Sequence, residues 1–166
     1  HGRKREDQAG ICIHVCQLRP ASRGRILLED ANPMSEPKIV AGYLSEPSDL
    51  QVMIEGVKAA RRIFGMEAFK AIIGEEHASS RGRETDASIA EFVREYAETI
   101  YHPVGTCKMG NDKMSVVDDQ LRVIGLKGLR VVDASIMPTL VGGNTNAPVI
   151  MIAEKASDMI LESVGQ

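Results

Sequence analysis

The 166-residue sequence contains no tryptophan and only three phenylalanines and three tyrosines, so no complete aromatic cage for a cationic ligand is visible in it. It also lacks a long apolar run. The longest, APVIMIA at 147–153, falls far short of the roughly 20 residues of a membrane span. No signal-peptide pattern opens the chain. Net charge is −3, which speaks against a nucleic-acid partner. The basic run Arg3-Lys4-Arg5 is followed at once by Glu6 and Asp7 and reads as a solvated, flexible end over 1–9. No G-x-G-x-x-G follows a strand-like segment, so the chain carries no dinucleotide fingerprint of its own. The sequence opens on His1 and has its first methionine at Met34, which suggests a piece of something larger.

Cysteine is scarce and odd in number, three in all, so there is no disulfide framework. Cys12 and Cys16 sit in ICIHVCQL (11–18), which reads as a strand. Four strand steps separate them by roughly 13 Å, too far for a bridge. A reducing compartment is the simpler reading, and the cytoplasm is expected, with any membrane association left to the longer protein. Cys12, His14 and Cys16 would share one face of that strand, as metal ligands could. No second ligand pair stands at the usual spacing, so buried structural cysteines and no metal are expected.

What the sequence does have is the balance of a globular domain: 43% hydrophobic and 26% charged residues, in a chain long enough for a real core. After ICIHVCQL come a turn rich in proline and glycine, a second strand RILLE (25–29) and a third, KIVAGYL (38–44). Together they suggest an antiparallel sheet. Ser48 reads as the N-cap of a helix over 49–64, with Leu50, Met53, Ile54, Val57, Ala60, Ile63 and Phe64 on one face and Gly65 at its end. The polar stretch 74–85 reads as a loop carrying an exposed, inert His77. Thr85 or Asp86 caps the next helix, whose apolar face is Ile89, Phe92, Val93, Tyr96, Ala97 and Ile100. Two strand-like pieces in LRVIGLKGLRVVDAS flank turn glycines Gly125 and Gly128. A last helix begins near Pro148 and continues through Val149, Ile152, Ala153, Ala156, Met159 and Ile160.

Three places could carry chemistry. In YHPVGTCKMG (101–110), Pro103 disfavours helical geometry at His102 and sets it on a stiff corner straight after the second helix, suited equally to a catalytic base and to a plain turn. In VVDAS (131–135), Asp133 ends an apolar strand, where it could bind a ligand hydroxyl or cap the following turn. Before the last helix, Gly142 and Gly143 leave room for a close approach. Asn144, Thr145 and Asn146 then lead into a helix start that favours negative charge. Taken singly, each is as well explained by structure as by function.

In this order and spacing, YHPVGTCKMG, GLRVVDASIMP and GGNTNAPVIMIAEKASDMI closely resemble the carboxy-terminal signature of the glucose–methanol–choline (GMC) oxidoreductases, FAD-dependent alcohol-oxidising enzymes. HVCQLRPASRGRILLEDANPMSEPKIVAGYLSEPSDLQVMIEGVKAARRI is similar to their substrate domain in the choline and alcohol dehydrogenase branch. The likeness spans about 11–163. It implies an α+β fold in which 10–115 belong to a substrate-binding domain with an antiparallel sheet and helices. Residues 116–166 would add a strand and a helix to an FAD-binding domain.

The resemblance also implies roles. His102 matches the catalytic histidine that acts as base or hydrogen-bond partner for the substrate hydroxyl, and Asn144 the second active-site position. Asp133 and Ala134 match positions touching the FAD ribityl and pyrophosphate, and Thr145 and Asn146 residues beside the flavin ring. The implied partners are a small, choline-like primary alcohol and FAD, the latter needing the missing amino-terminal half for full binding. The electron acceptor is not legible. Two alternatives stand beside this reading: a non-catalytic α+β binding or assembly module that retains the family sequence, and a metal protein built on Cys12, His14 and Cys16. A carboxy-terminal piece of this kind should be inactive alone and expose apolar surface meant for its missing partner. Self-association or local disorder over 116–166 is therefore expected, and a monodisperse monomer with a well-ordered tail, read by sedimentation velocity and hydrogen exchange, would count against it.

Overall fold

The computed structural model of the chain describes residues 9–164; the basic run at 3–5 lies outside the described residues. Two short strands, β1 (Arg25–Leu27) and β2 (Lys38–Val40), and three helices, α1 (Pro47–Phe64), α2 (Asp86–Tyr96) and α3 (Asn146–Val164), are joined by long irregular segments. Single 3-10 turns lie at Glu67–Phe69 and Ala134–Ile136. This is an α+β arrangement. It divides into two compact units, one made of 9–17, 21–23 and 42–100, the other of 18–20, 24–41 and 101–164. Residues 105–109 belong to the second unit, where they hydrogen-bond to 134–136.

In the first unit α1 and α2 pack through Ile54, Ile89, Ala90 and Val93, with Leu44, Leu50, Met53, Val57 and Phe92 around them. Helix α1 starts earlier than the sequence suggests. Its N-cap is Glu46, whereas Ser48 lies inside the first turn. Pro47 explains the shift, since a residue with fixed φ and no N–H fits the first helical position without loss. Beyond Val57 the expected apolar face leaves the core, Ile63 being exposed. Helix α2 begins as expected at Thr85, whose side chain accepts from the Ser88 N–H while Ser88 returns a bond, a capping box. It stops at Tyr96, so 97–100 are not helical, and Tyr96 and Ile100 are exposed.

The expected strand at 11–18 does not form, as no neighbouring strand pairs with it. Val15 instead lies over α1 at Gly56, where an added Cβ would come within 2.1 Å of Val15 Cγ1. Cys12 is consequently exposed and Cys16 half-buried, not core cysteines. The anchor of this unit is Asp49 in the first turn of α1. Its buried carboxylate accepts the backbone N–H of Ala21 (2.9 Å) and Ser22 (2.7 Å) and the Gln17 amide (3.2 Å), while Ser22 Oγ accepts from the Glu46 N–H (3.1 Å).

The second unit contains the hairpin, antiparallel in the register Arg25↔Val40, Ile26↔Ile39 and Leu27↔Lys38. Two of the three expected strands thus pair, and both stop short of their expected ends. Gly24 permits the pairing, because an added Cβ would sit 2.5 Å from the carbonyl oxygens of Val40 and Ala41. The core of this unit is Val117, Leu121, Ile136, Met137, Ile152 and Ala156. Helix α3 presents Val149, Ile152, Ala156 and Met159 to it, a helical spacing that the sequence displays. Ala153 and Ile160 face outward instead. The expected strands around Gly125 and Gly128 are reduced to single bridges, Val117↔Val123 and Arg122↔Arg130. Leu121 is buried in the left-handed region at φ 60°, which interrupts any longer run there. Both glycines have positive φ, as turn glycines should.

Burial of the Asp49 carboxyl would raise its pKa, but the bonds from Ser22, Ala21 and Gln17 prevail and hold it at about 2. A folded-state value below the ordinary one stabilises the fold above about pH 4, and that stability is lost as pH falls toward 2. Asp49→Asn should remove on the order of 2 kcal/mol at neutral pH and flatten the acid limb of stability against pH, read by urea unfolding at a series of pH values.

Candidate active site

The site is built from the bottom by backbone bonds. Beyond Pro103 the chain runs beside the 134–136 turn, the N–H groups of Gly105, Cys107 and Met109 donating to the carbonyls of Ala134 (3.4 Å), Ser135 (3.0 Å) and Ile136 (2.7 Å). Asp133 caps that turn, its Oδ1 accepting the Ser135 N–H at 2.7 Å. Of the two roles open to it in the sequence, the turn-capping one is therefore present. Its side chain is nonetheless exposed, and Oδ2 has no protein partner among the described residues. Ala134 is half-buried and gives its carbonyl to Gly105.

His102 precedes this ladder and is half-buried. It is preceded by Tyr101 at φ 64°, a left-handed conformation that costs a bulky residue energy and so marks a constrained corner. Five non-helical residues, 97–101, separate it from α2, so the corner is made by Tyr101 and Pro103 rather than by the helix end. Thr145 stands at the start of α3, where its carbonyl accepts the Val149 N–H at 3.0 Å, the first bond of the helix. Its buried hydroxyl lies 2.9 Å from His102 Nδ1. Residues 43 apart in sequence thus meet through one bond.

Asn144 and Asn146 flank Thr145, and both are exposed. The Asn146 and Ala147 N–H groups at the helix start have no acceptor among the described residues, and Pro148 has no N–H. Of the two glycines before them, Gly142 faces the Arg19 guanidinium, whose Nε would be 3.0 Å from an added Cβ, so a side chain of this same unit makes that close approach. Gly143 has nothing within 4 Å of such an atom. Sequence reasoning did not single out Tyr101, Gly105 or Arg19. Only Gly105 carried a signal, as a glycine just after the His-Pro pair. Among the described residues no group of three or more His, Cys, Asp or Glu is gathered as for a metal ion, so Cys12, His14 and Cys16 form no such site. No helix of the described residues is long and apolar enough to cross a membrane.

Residues 20–153 match the family model for GMC oxidoreductase. The chain belongs to the GMC oxidoreductase family. It is 51% identical over 164 residues to the alcohol dehydrogenase [acceptor] of Pseudomonas putida, which covers 99% of this chain and 30% of that protein. To the oxygen-dependent choline dehydrogenase of Cronobacter sakazakii it is 46% identical over 151 residues, 91% of this chain and 27% of that protein. Among solved structures, an FAD-dependent oxidoreductase from Chaetomium thermophilum superposes with a TM-score of 0.83 at 30% identity, over 88% of this chain and 26% of that one. The chain therefore spans less than a third of the length of the curated relatives it matches.

Gly105 sits at φ 87°, and an added Cβ would come within 3.1 Å of the Met137 carbonyl oxygen. Gly105→Ala should destabilise the second unit by about 1–2 kcal/mol through backbone strain and pressure on the ladder. Hydrogen exchange should then be faster at the Cys107 and Met109 amides while the amides of α2 keep their protection.

Proposed function

We propose that this chain is the carboxy-terminal part of an FAD-dependent dehydrogenase that oxidises a primary, choline-like alcohol, with His102 as the base and Asn144 as its partner in holding the substrate hydroxyl. The observation that carries the reading is the convergence of the His102 corner with the start of α3, in a chain of the GMC oxidoreductase family. The same assignment makes 10–115 part of the substrate-binding domain and 116–166 the strand-and-helix completion of the FAD-binding domain. The outward face of α3 supports that completion: Ile150, Met151 and Leu161 are exposed there as apolar side chains.

The residues present suit a flavin. Asp133 offers an exposed carboxylate oxygen to ligand hydroxyls, beside Ala134. Asn144, the main chain at Thr145 and Asn146 surround a helix start whose free N–H groups favour an electron-rich ring edge. When bound, FAD supplies a hydride acceptor at N5. The protein's share is proton handling and orientation. His102 takes the hydroxyl proton at Nε2, since an imidazole changes charge near neutral pH. Asn144 has an amide that can donate to and accept from the hydroxyl but cannot take its proton, so it orients the alcohol. The relatives named as alcohol and choline dehydrogenases support alcohols as the substrate class.

The test is an absorbance spectrum of the protein from the full reading frame, before and after anaerobic addition of an alcohol panel. A yellow protein bleached by one alcohol is expected. His102→Ala should keep the flavin yet slow the bleaching by about 100-fold or more, and Asn144→Ala should slow it less. Full-rate bleaching in His102→Ala would sink the assignment of the base.

A further inference from the structure

We propose that Thr145 is a positioning residue for His102: its hydroxyl oxygen accepts a hydrogen bond from Nδ1–H and thereby keeps Nε2 as the unprotonated nitrogen. The inference rests on His102 being the base and goes beyond it by naming what fixes the ring's tautomer and orientation.

The argument starts from what a threonine at a helix start ordinarily does. Its Oγ1 accepts the N–H two or three positions into the helix. Thr85 does this for α2, accepting the Ser88 N–H at 3.2 Å. Thr145 holds the corresponding place in α3, but the third helical position is Pro148, which has no N–H to give. No bond from the Ala147 N–H to Oγ1 occurs among the described residues. The two threonines share a residue type and a position, and differ in the proline. Freed from capping, the buried Thr145 hydroxyl lies 2.9 Å from His102 Nδ1.

A neutral imidazole has one N–H and one lone pair, and the bond made by one nitrogen sets the state of the other. With Nδ1–H donating to Thr145, Nε2 presents its lone pair. On taking a proton there, the ring keeps the bond to Thr145, so proton uptake needs no rearrangement. With the hydroxyl donating to Nδ1 instead, Nε2 would already carry a proton and could not act as the base. Only the first arrangement fits the chemistry assigned to His102. The positive φ at Tyr101 and the proline ring at 103 hold the backbone on either side of the histidine, and the Thr145 bond fixes the side chain.

The test reads the tautomer directly. Ring-nitrogen chemical shifts of the four histidines are recorded for the ¹⁵N-labelled 166-residue chain with the rings neutral, and His102 is identified by the signal missing in His102→Gln. The expected result is protonated Nδ1 and bare Nε2 in the wild type, mixed tautomers in Thr145→Val, and recovery of the wild-type pattern in Thr145→Ser. Protonated Nε2 in the wild type, or an unchanged pattern in Thr145→Val, would overturn the proposal. Loss of helical ellipticity in Thr145→Val would make the residue a helix cap and overturn it too. In the flavin-containing full-length protein, Thr145→Val should slow alcohol-dependent bleaching about tenfold with flavin content unchanged, and Thr145→Ser should restore it. The two readings fail separately: His102→Ala at full rate removes the base, whereas an unmoved tautomer in Thr145→Val removes the positioning role alone.

Discussion

The three amide-to-carbonyl bonds from Gly105, Cys107 and Met109 to Ala134, Ser135 and Ile136 are the constraint on which the second unit depends. Each ties a residue of the histidine segment to the 3-10 turn that Asp133 caps. They run beside the core around Ile136 and Met137, so slipping one would move buried side chains together with the loop. At Gly105 a Cβ would crowd the Met137 carbonyl oxygen at 3.1 Å and the φ of 87° disfavours a side chain, which explains a glycine soon after the histidine. Without these bonds His102 and Thr145 would be joined only by a single side-chain contact across 43 residues.

Proline organises both approaches to that contact. Pro103 follows the histidine and keeps it out of helical geometry, while Pro148 enters the first turn of α3 and takes away the donor that would otherwise occupy Thr145. In the first unit a third proline, Pro47, acts as a plain helix starter, and Asp49 satisfies the loop ahead of it. A residue tolerated early in a helix thus does different work according to its place there. At the first position, as with Pro47, it starts the helix. At the third, as with Pro148, it releases a side chain.

The helices were legible in the sequence because their signals are local. Thr85 caps α2, and the spacing of Val149, Ile152, Ala156 and Met159 marks the buried face of α3. The strands were less legible, since a β-rich segment becomes a strand only if a partner lies alongside. ICIHVCQL found a helix glycine instead, through Val15 on Gly56, and the two pieces in LRVIGLKGLRVVDAS met only single bridging partners, Val123 with Val117 and Arg122 with Arg130. At the candidate site, how the candidate residues join was not legible in the sequence. The Thr145–His102 bond spans a distance that no periodicity reports, and Arg19 facing Gly142 is equally silent. The one local clue was Pro148, three positions beyond Thr145.

The chemistry at this convergence is narrow. Asn144, Thr145 and Asn146 carry polar groups that do not titrate, and Asp133 has one oxygen engaged by the Ser135 N–H. Among the residues set between Tyr101 and Val104 and at the start of α3, only His102 carries an ionisable side chain, an imidazole. A proton delivered there therefore has one destination, and neighbours without charge of their own leave the helix start free to favour an anion. Replacing Asn144 by a carboxylate would supply a second proton acceptor and set a negative charge against that helix start. On the proposed reading, the amide keeps proton transfer and charge stabilisation on separate groups.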